Sequence, residues 1–199
     1  MTKTNHKAVL LVVLSVLVIC IVRQQYNDVV PQKAQPAAWA TVPLRPSVMT
    51  IDYPASWSYR ENHLLPVMHW VVSRESLATT APRVAVDVMA MTKVNQQRNH
   101  TVTAEVEQWL DGYQREGKGA VVSVCNADNY TFFQHQCLER NLVRTVAGKP
   151  VLMHERTVVL WQVDADALAV VQASAPLDEW PAVQDILLHM QASLKIQQD

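Results

Sequence analysis

The sequence predicts an α+β fold: an antiparallel sheet flanked by two principal helices and preceded by one transmembrane helix. Three observations point to it. Several segments alternate apolar residues with a period of two, most clearly Pro82 to Met91, where Val84, Val86, Val88 and Ala90 share a face. Two others, Val102 to Tyr113 and Trp180 to Leu194, repeat apolar residues at steps of three and four, as a helix with one buried stripe does. The later strands are joined by only a few residues, whereas a parallel crossover needs a dozen or more, so those strands are antiparallel neighbours.

The first 46 residues stand apart. They carry Lys3, Lys7, Arg23, Lys33 and Arg45 against Asp28 alone, a net charge of +4 in a chain whose formal total is −1. Ala8 to Val22 reads AVLLVVLSVLVICIV, uncharged, with Ser15 as its only hydroxyl. As a helix this run reaches about 22 Å, short of the ~30 Å hydrocarbon core. Snorkelling by Lys7 and Arg23 and local thinning of the bilayer close the gap. A buried core helix is disfavoured by the basic flanks and the absence of a polar face. Three membrane readings compete. Cleavage needs small residues just past the apolar run, and Ala38-Trp39-Ala40 lies too far on. A lipoprotein would be acylated at Cys20, but Ile19 stands where such signals carry a small residue. The uncleaved anchor fits best. Residues 1–7 are then cytoplasmic by the positive-inside tendency, residues 8–22 span a bacterial inner membrane, and the rest is periplasmic.

Residues 23–46 show no apolar periodicity and contain Pro31, Pro36, Pro43 and Pro46. Each proline fixes φ and biases its predecessor toward extended geometry, so the stretch reads as a semi-rigid tether. Trp39 can rest on the membrane interface or dock on the domain. Residues 47–199 read as one folded domain. Thr50–Tyr53 is a short strand ended by Pro54 and the turn through Ala55-Ser56-Trp57; Val67–Ser73 and Pro82–Met91 are strands. In the helix that follows, Thr101 or Thr103 can be the cap, and Glu105 and Glu107 suit the positive end of the dipole. Val102, Val106, Trp109, Leu110 and Tyr113 form its stripe. Strands Ala120–Cys125, Gln136–Val146, Val151–Val163 and Ala167–Ser174 come next, with turns at Gly148-Lys149-Pro150 and Asp164-Ala165-Asp166. The closing helix begins near Asp178, tolerates Pro181 in its first turn, and buries Trp180, Val183, Leu187, Met190 and Leu194.

Composition excludes whole classes. With 49% hydrophobic and 18% charged residues, the chain has material for one core and is not a disordered tail protein. No strongly basic domain is present, which argues against nucleic acid as a partner. Four glycines beside ten prolines exclude collagen-like repeats.

Four passages in order resemble one family. Ile51-Asp52-Tyr53-Pro54-Ala55-Ser56-Trp57 resembles the hydrophobic-x-Tyr-Pro-x-x-Trp opening of PsbP/DcrB-like domains. The helix Val102–Tyr113 sits where that family places its first long helix, and the passage Ala147-Gly148-Lys149-Pro150 resembles its central hairpin. The segment Ile186 to Leu194 resembles its terminal helix. The resemblance covers residues 47–197 and implies a Mog/PsbP-type α/β/α sandwich whose members bind, assemble or chaperone rather than catalyse.

The chemistry-bearing residues are few. Cys125 ends one strand and Cys137 begins the next, and in an exported domain a structural disulfide is the expected state. A zinc site from Cys125, His135 and Cys137 lacks a fourth ligand and C-x-x-C spacing; two unpaired buried thiols are the remaining alternative. Asp164 and Asp166 are turn formers rather than a calcium loop. No nucleophile, metalloprotease, phosphate-loop or dinucleotide motif occurs, so no catalytic, cofactor-binding or metal residue is assigned. Trp57, His63 and His69 are candidate partner-binding residues, with core packing the plainer role for Trp57 and solvation for the histidines. The expected function is a non-enzymatic scaffold or assembly factor in an envelope protein complex such as a secretion or transfer machine. It would bind the bilayer through residues 8–22 and an envelope protein partner but no nucleic acid, and no small-molecule substrate is identified from the sequence. The alternatives are a DcrB-like lipoprotein or receptor acylated at Cys20, and a chaperone for exported effectors.

Overall fold

The alternating apolar segments do become strands, and they dominate the molecule. In a computed structural model, the structure describes residues 35–44, 49–64, 67–77, 82–116, 120–127, 130 and 133–196, all within one compact unit, Lys33–Asp199. In chain order its elements are β1 (Trp39–Leu44), β2 (Met49–Pro54), β3 (Ser58–Leu64), β4 (Val67–Ser73) and β5 (Ala85–Thr92). After α1 (Val94–Arg98) and α2 (Val102–Glu116) come β6 (Val122–Val124), β7 (Gln134–Val146), β8 (Lys149–Gln162), β9 (Ala167–Pro176), α3 (Trp180–Ala192) and β10 (Lys195–Ile196). Seven strands form one antiparallel sheet in the order β3-β4-β5-β9-β8-β7-β6, and three form a small sheet, β1-β2-β10.

The central strands β5, β9 and β8 carry apolar residues on both faces, because both faces are covered. On one face Trp70, Val72, Val86, Val88, Val158 and Val171 meet Val183, Leu187 and Met190 of α3 together with Leu44, Met49 and Ile51 of the small sheet. On the other, Met91, Val159, Leu168 and Val170 meet Val102 and Val106 of α2. Thr101 caps α2: its Oγ1 accepts from Ala104 N–H at 3.2 Å and its carbonyl from Glu105 N–H at 3.0 Å.

The fold is thus mostly antiparallel sheet with few helices, and it departs from a sandwich built by two helices on one sheet. A second sheet shares a face with α3, and its leading strand comes from the expected tether. Trp39–Leu44 pairs in register with Met49–Pro54, so the domain begins earlier than residue 47. β1 is an edge of its sheet, where Pro43 costs no ladder bond on the open side. Trp39 docks on the domain, its ring 4.1 Å from that of His189. The polar segment Ser58–Leu64, to which the sequence pattern assigns no element, is the edge strand β3. The β7–β8 turn lies one step earlier than expected, at Ala147 and Gly148, both with positive φ (49° and 77°), and Lys149 and Pro150 belong to β8. The expected span 8–22, residues 1–7, Cys20 and residues 23–34 lie outside the described residues. Among the described residues no helix is long and apolar enough to cross a membrane.

Candidate functional site

A groove of about 210 Å³ opens where α2 crosses the sheet. Strand alternation builds its floor: Val67 of β4, Met89 and Met91 of β5, and Leu168 and Val170 of β9 all point to the α2 side. Trp109, one helical step on from buried Val102 and Val106, forms its wall and stacks on Tyr113 with ring centroids 5.2 Å apart.

The rim is charged. Glu105, in the first turn of α2, is nearly covered; its Oε2 lies 2.5 Å from His100 Nε2 and its Oε1 3.6 Å from Arg98 Nη2. The carboxylate therefore ties the end of α1 to the start of α2 and holds the turn at the mouth of the groove. α1 is anchored from the other side by Asp166, whose carboxylate accepts from Asn95 N–H at 3.1 Å; Asp166 is a helix cap as well as a turn residue.

Beyond Met89 the same face of the sheet becomes polar. His69, the cross-strand partner of Met89, places Nε2 3.1 Å from Asp87 Oδ1. Asp87 is in register with Gln172 on β9, whose Nε2 is shielded from solvent and has no hydrogen-bond partner among the described residues. The site thus has an apolar trough, an ion-paired rim at one end and a donor in need of an acceptor near the other.

The expected partner-binding residues do not converge. His69 stands beside the groove floor. Trp57 packs half-buried against the core on the α3 side, its N–H closing the turn to Pro54 O at 2.9 Å. His63 sits in β3 in register with Met68, and its side chain lies outside the described residues. Cys125 and Cys137 are joined as a disulfide with Cα atoms 5.0 Å apart, so neither offers a thiolate to a metal, and His135 bonds its own chain at Phe133 O. Among the described residues no group of three or more His, Cys, Asp or Glu could hold a metal ion. Sequence reasoning missed the groove because it assigned Trp109 to packing alone and followed only the core-facing half of β5. The signal was there in Asp87, Met89 and Met91, which alternate with the valines of the buried face.

No protein-family model matches the chain and no curated protein matches it. Solved structures do. Cyanobacterial PsbP from Synechocystis superposes with a TM-score of 0.50 at 14% identity, covering 82% of this chain and 95% of that one. LpqN, involved in cell envelope biogenesis of Mycobacterium tuberculosis, gives 0.47 at 19% identity over 80% of this chain and 92% of its own. The Ran-binding protein Mog1p of Saccharomyces cerevisiae gives 0.46 at 14% identity over 80% and 95%. At 14% identity the likeness to PsbP is one of fold alone, and the described domain has a PsbP-like fold.

Proposed function

We propose that this chain is a non-enzymatic, inner-membrane-anchored periplasmic protein that acts as a scaffold or assembly factor in an envelope protein complex, such as a secretion or transfer machine. The observation that carries the reading is the α2 groove. Its two methionines are adaptable surfaces for an apolar segment of a partner protein, and Trp109 adds broad contact area. The Arg98–Glu105–His100 rim supplies the polar border that protein interfaces keep around an apolar centre. Anchoring through residues 8–22 would raise the local concentration of such a domain near membrane-bound partners, so a shallow groove suffices.

The test is affinity capture from detergent-solubilised membranes of the native host, comparing the wild-type chain with Met89→Gln and Trp109→Ala. Both side chains are only partly buried, so both variants should fold. An envelope protein recovered with the wild type and lost with both variants is the expected result. Recovery of the chain alone, or of a partner equally held by both variants, would overturn the reading.

A further inference from the structure

A second cavity, of about 260 Å³, lies on the other face of the large sheet, between α3 and the residues Asn126, Ala127 and Tyr130 that follow β6. It is lined by Arg156 of β8, which is 9% exposed. Arg156 Nη1 donates to Gln191 Oε1, and Nη2 donates to Asn126 O at 2.7 Å. The paired carboxylate, Glu139 Oε1, is 3.4 Å from Nε and belongs to a side chain that is 32% exposed.

The groups around this cation are held in place. Gln191 Nε2 donates to Arg156 O at 3.0 Å and Val171 O at 2.9 Å, which turns its Oε1 toward the guanidinium. Tyr130, whose pKa burial pushes up to about 12, keeps its proton and donates to Gln191 O. A guanidinium has five N–H bonds, and these contacts engage three of them. Its two carbonyl acceptors are neutral, so Glu139, at 3.4 Å and a third exposed, is the carboxylate that offsets its charge; burial lowers the Arg156 pKa from its ordinary value although Glu139 opposes this. Ala127, Leu188 and Ala192 complete an apolar wall.

We propose that this cavity binds a small carboxylate with a short aliphatic tail, its head on Arg156 and its tail against Ala127, Leu188 and Ala192. The planar fork of arginine matches a carboxylate, and Arg156 is the one charged side chain among the described lining residues, which suits a singly charged head better than a phosphate. The volume lies just below the roughly 300–1,000 Å³ of ordinary small-ligand pockets, so the ligand is small. This site is on the opposite face from the groove and stands independently of the scaffold reading.

The experiment is an NMR titration of the full chain in detergent with sodium butyrate, read on the methyl groups of Ala127, Leu188 and Ala192. Butyramide and inorganic phosphate are the comparison ligands. Butyrate should give saturable shifts, and the other two should bind about tenfold more weakly or worse. Arg156→Met should weaken butyrate binding by a similar factor. Ala192→Trp, at the exposed end of α3, should fold normally and abolish binding by filling the cavity. No saturable shift with butyrate, equal binding of butyramide or phosphate, or undiminished binding in Ala192→Trp would overturn the assignment.

Discussion

Arg140 donates from Nε to Glu155 Oε2 at 2.8 Å in a part of the sheet where neither side chain meets solvent, with exposures of 3% and 0%. The pair sits under the C-terminal half of α2. The Arg140 guanidinium lies 3.6 Å from the centroid of the Tyr113 ring and donates to Tyr113 O, while Arg144 reaches the second oxygen of Glu155. Removing Glu155 leaves the buried Arg140 without its counter-charge. Glu155→Gln should cost about 3 kcal/mol or more, and Arg140→Met with Glu155→Gln should recover much of the loss. Urea unfolding of the two single variants and the double variant measures the coupling; strictly additive losses would refute it.

The disulfide has a stability consequence. Cys125 N–H donates to Cys137 O at 3.1 Å, so the bridge extends the β6–β7 ladder and closes a loop spanning twelve positions. Replacing both cysteines by serine should lower stability by about 3 kcal/mol on the chain-entropy account. The same variant should loosen Tyr130 from Gln191, because that loop carries Tyr130. Denaturant midpoints with and without dithiothreitol should differ for the wild type and coincide for the double variant.

Glu75 sets a pH dependence. Its burial alone would raise the carboxyl pKa, but the Val84 N–H, Arg74 and Ser73 around it outweigh that and hold it below the ordinary value. A depressed folded-state pKa contributes stability above the unfolded value, and that contribution is lost as pH falls through the folded one. The thermal midpoint of the wild type should therefore fall as acid is added below about pH 4.5, and Glu75→Gln should be less stable at neutrality but flatter over that range. Glu179, at the N-cap of α3, receives Arg74 and Arg83 at 2.6 Å each and remains in place in both proteins.

Ala147 is a correctable strain. It occupies the first position of the β7–β8 turn at φ 49°, a left-handed conformation that costs an ordinary L-residue roughly 1 kcal/mol. Asparagine tolerates that region, and Asn-Gly is the favoured pair for a two-residue hairpin of this type. Ala147→Asn should stabilise by about 0.5–1 kcal/mol, and Gly148→Ala should destabilise by a similar amount although a Cβ there meets nothing within 4 Å. Thermal midpoints of the two variants moving in the same direction would contradict this.

Much of the fold was legible because its drivers are local. The stripe of α2, the proline in the first turn of α3, the alternation of β5 and the short turns after β7 and β8 each depend on neighbours within a dozen residues. The edges were not. Ser58–Leu64 is polar because one side faces solvent, and Trp39–Leu44 contains a proline; nothing in either segment marks it as strand until its partner is known. The candidate sites were the least legible. His69 meets Asp87 across eighteen residues, and Arg156 meets Gln191 across thirty-five.

From sequence alone followed the central strands, the helices α2 and α3 and the antiparallel pairing of the last strands, because backbone sterics and apolar periodicity act over short range. Tertiary structure decided which residues share a cavity. Only the register of β4, β5 and β9 sets His69 beside Met89 and Asp87 beside Gln172. Only the docking of α3 on the sheet, which brings Gln191 to Arg156, turns Arg156 from one more charged strand residue into a buried cation lining a pocket. The physical reason is that a charge has a role only in its dielectric surroundings, and those are made by segments far apart in the chain.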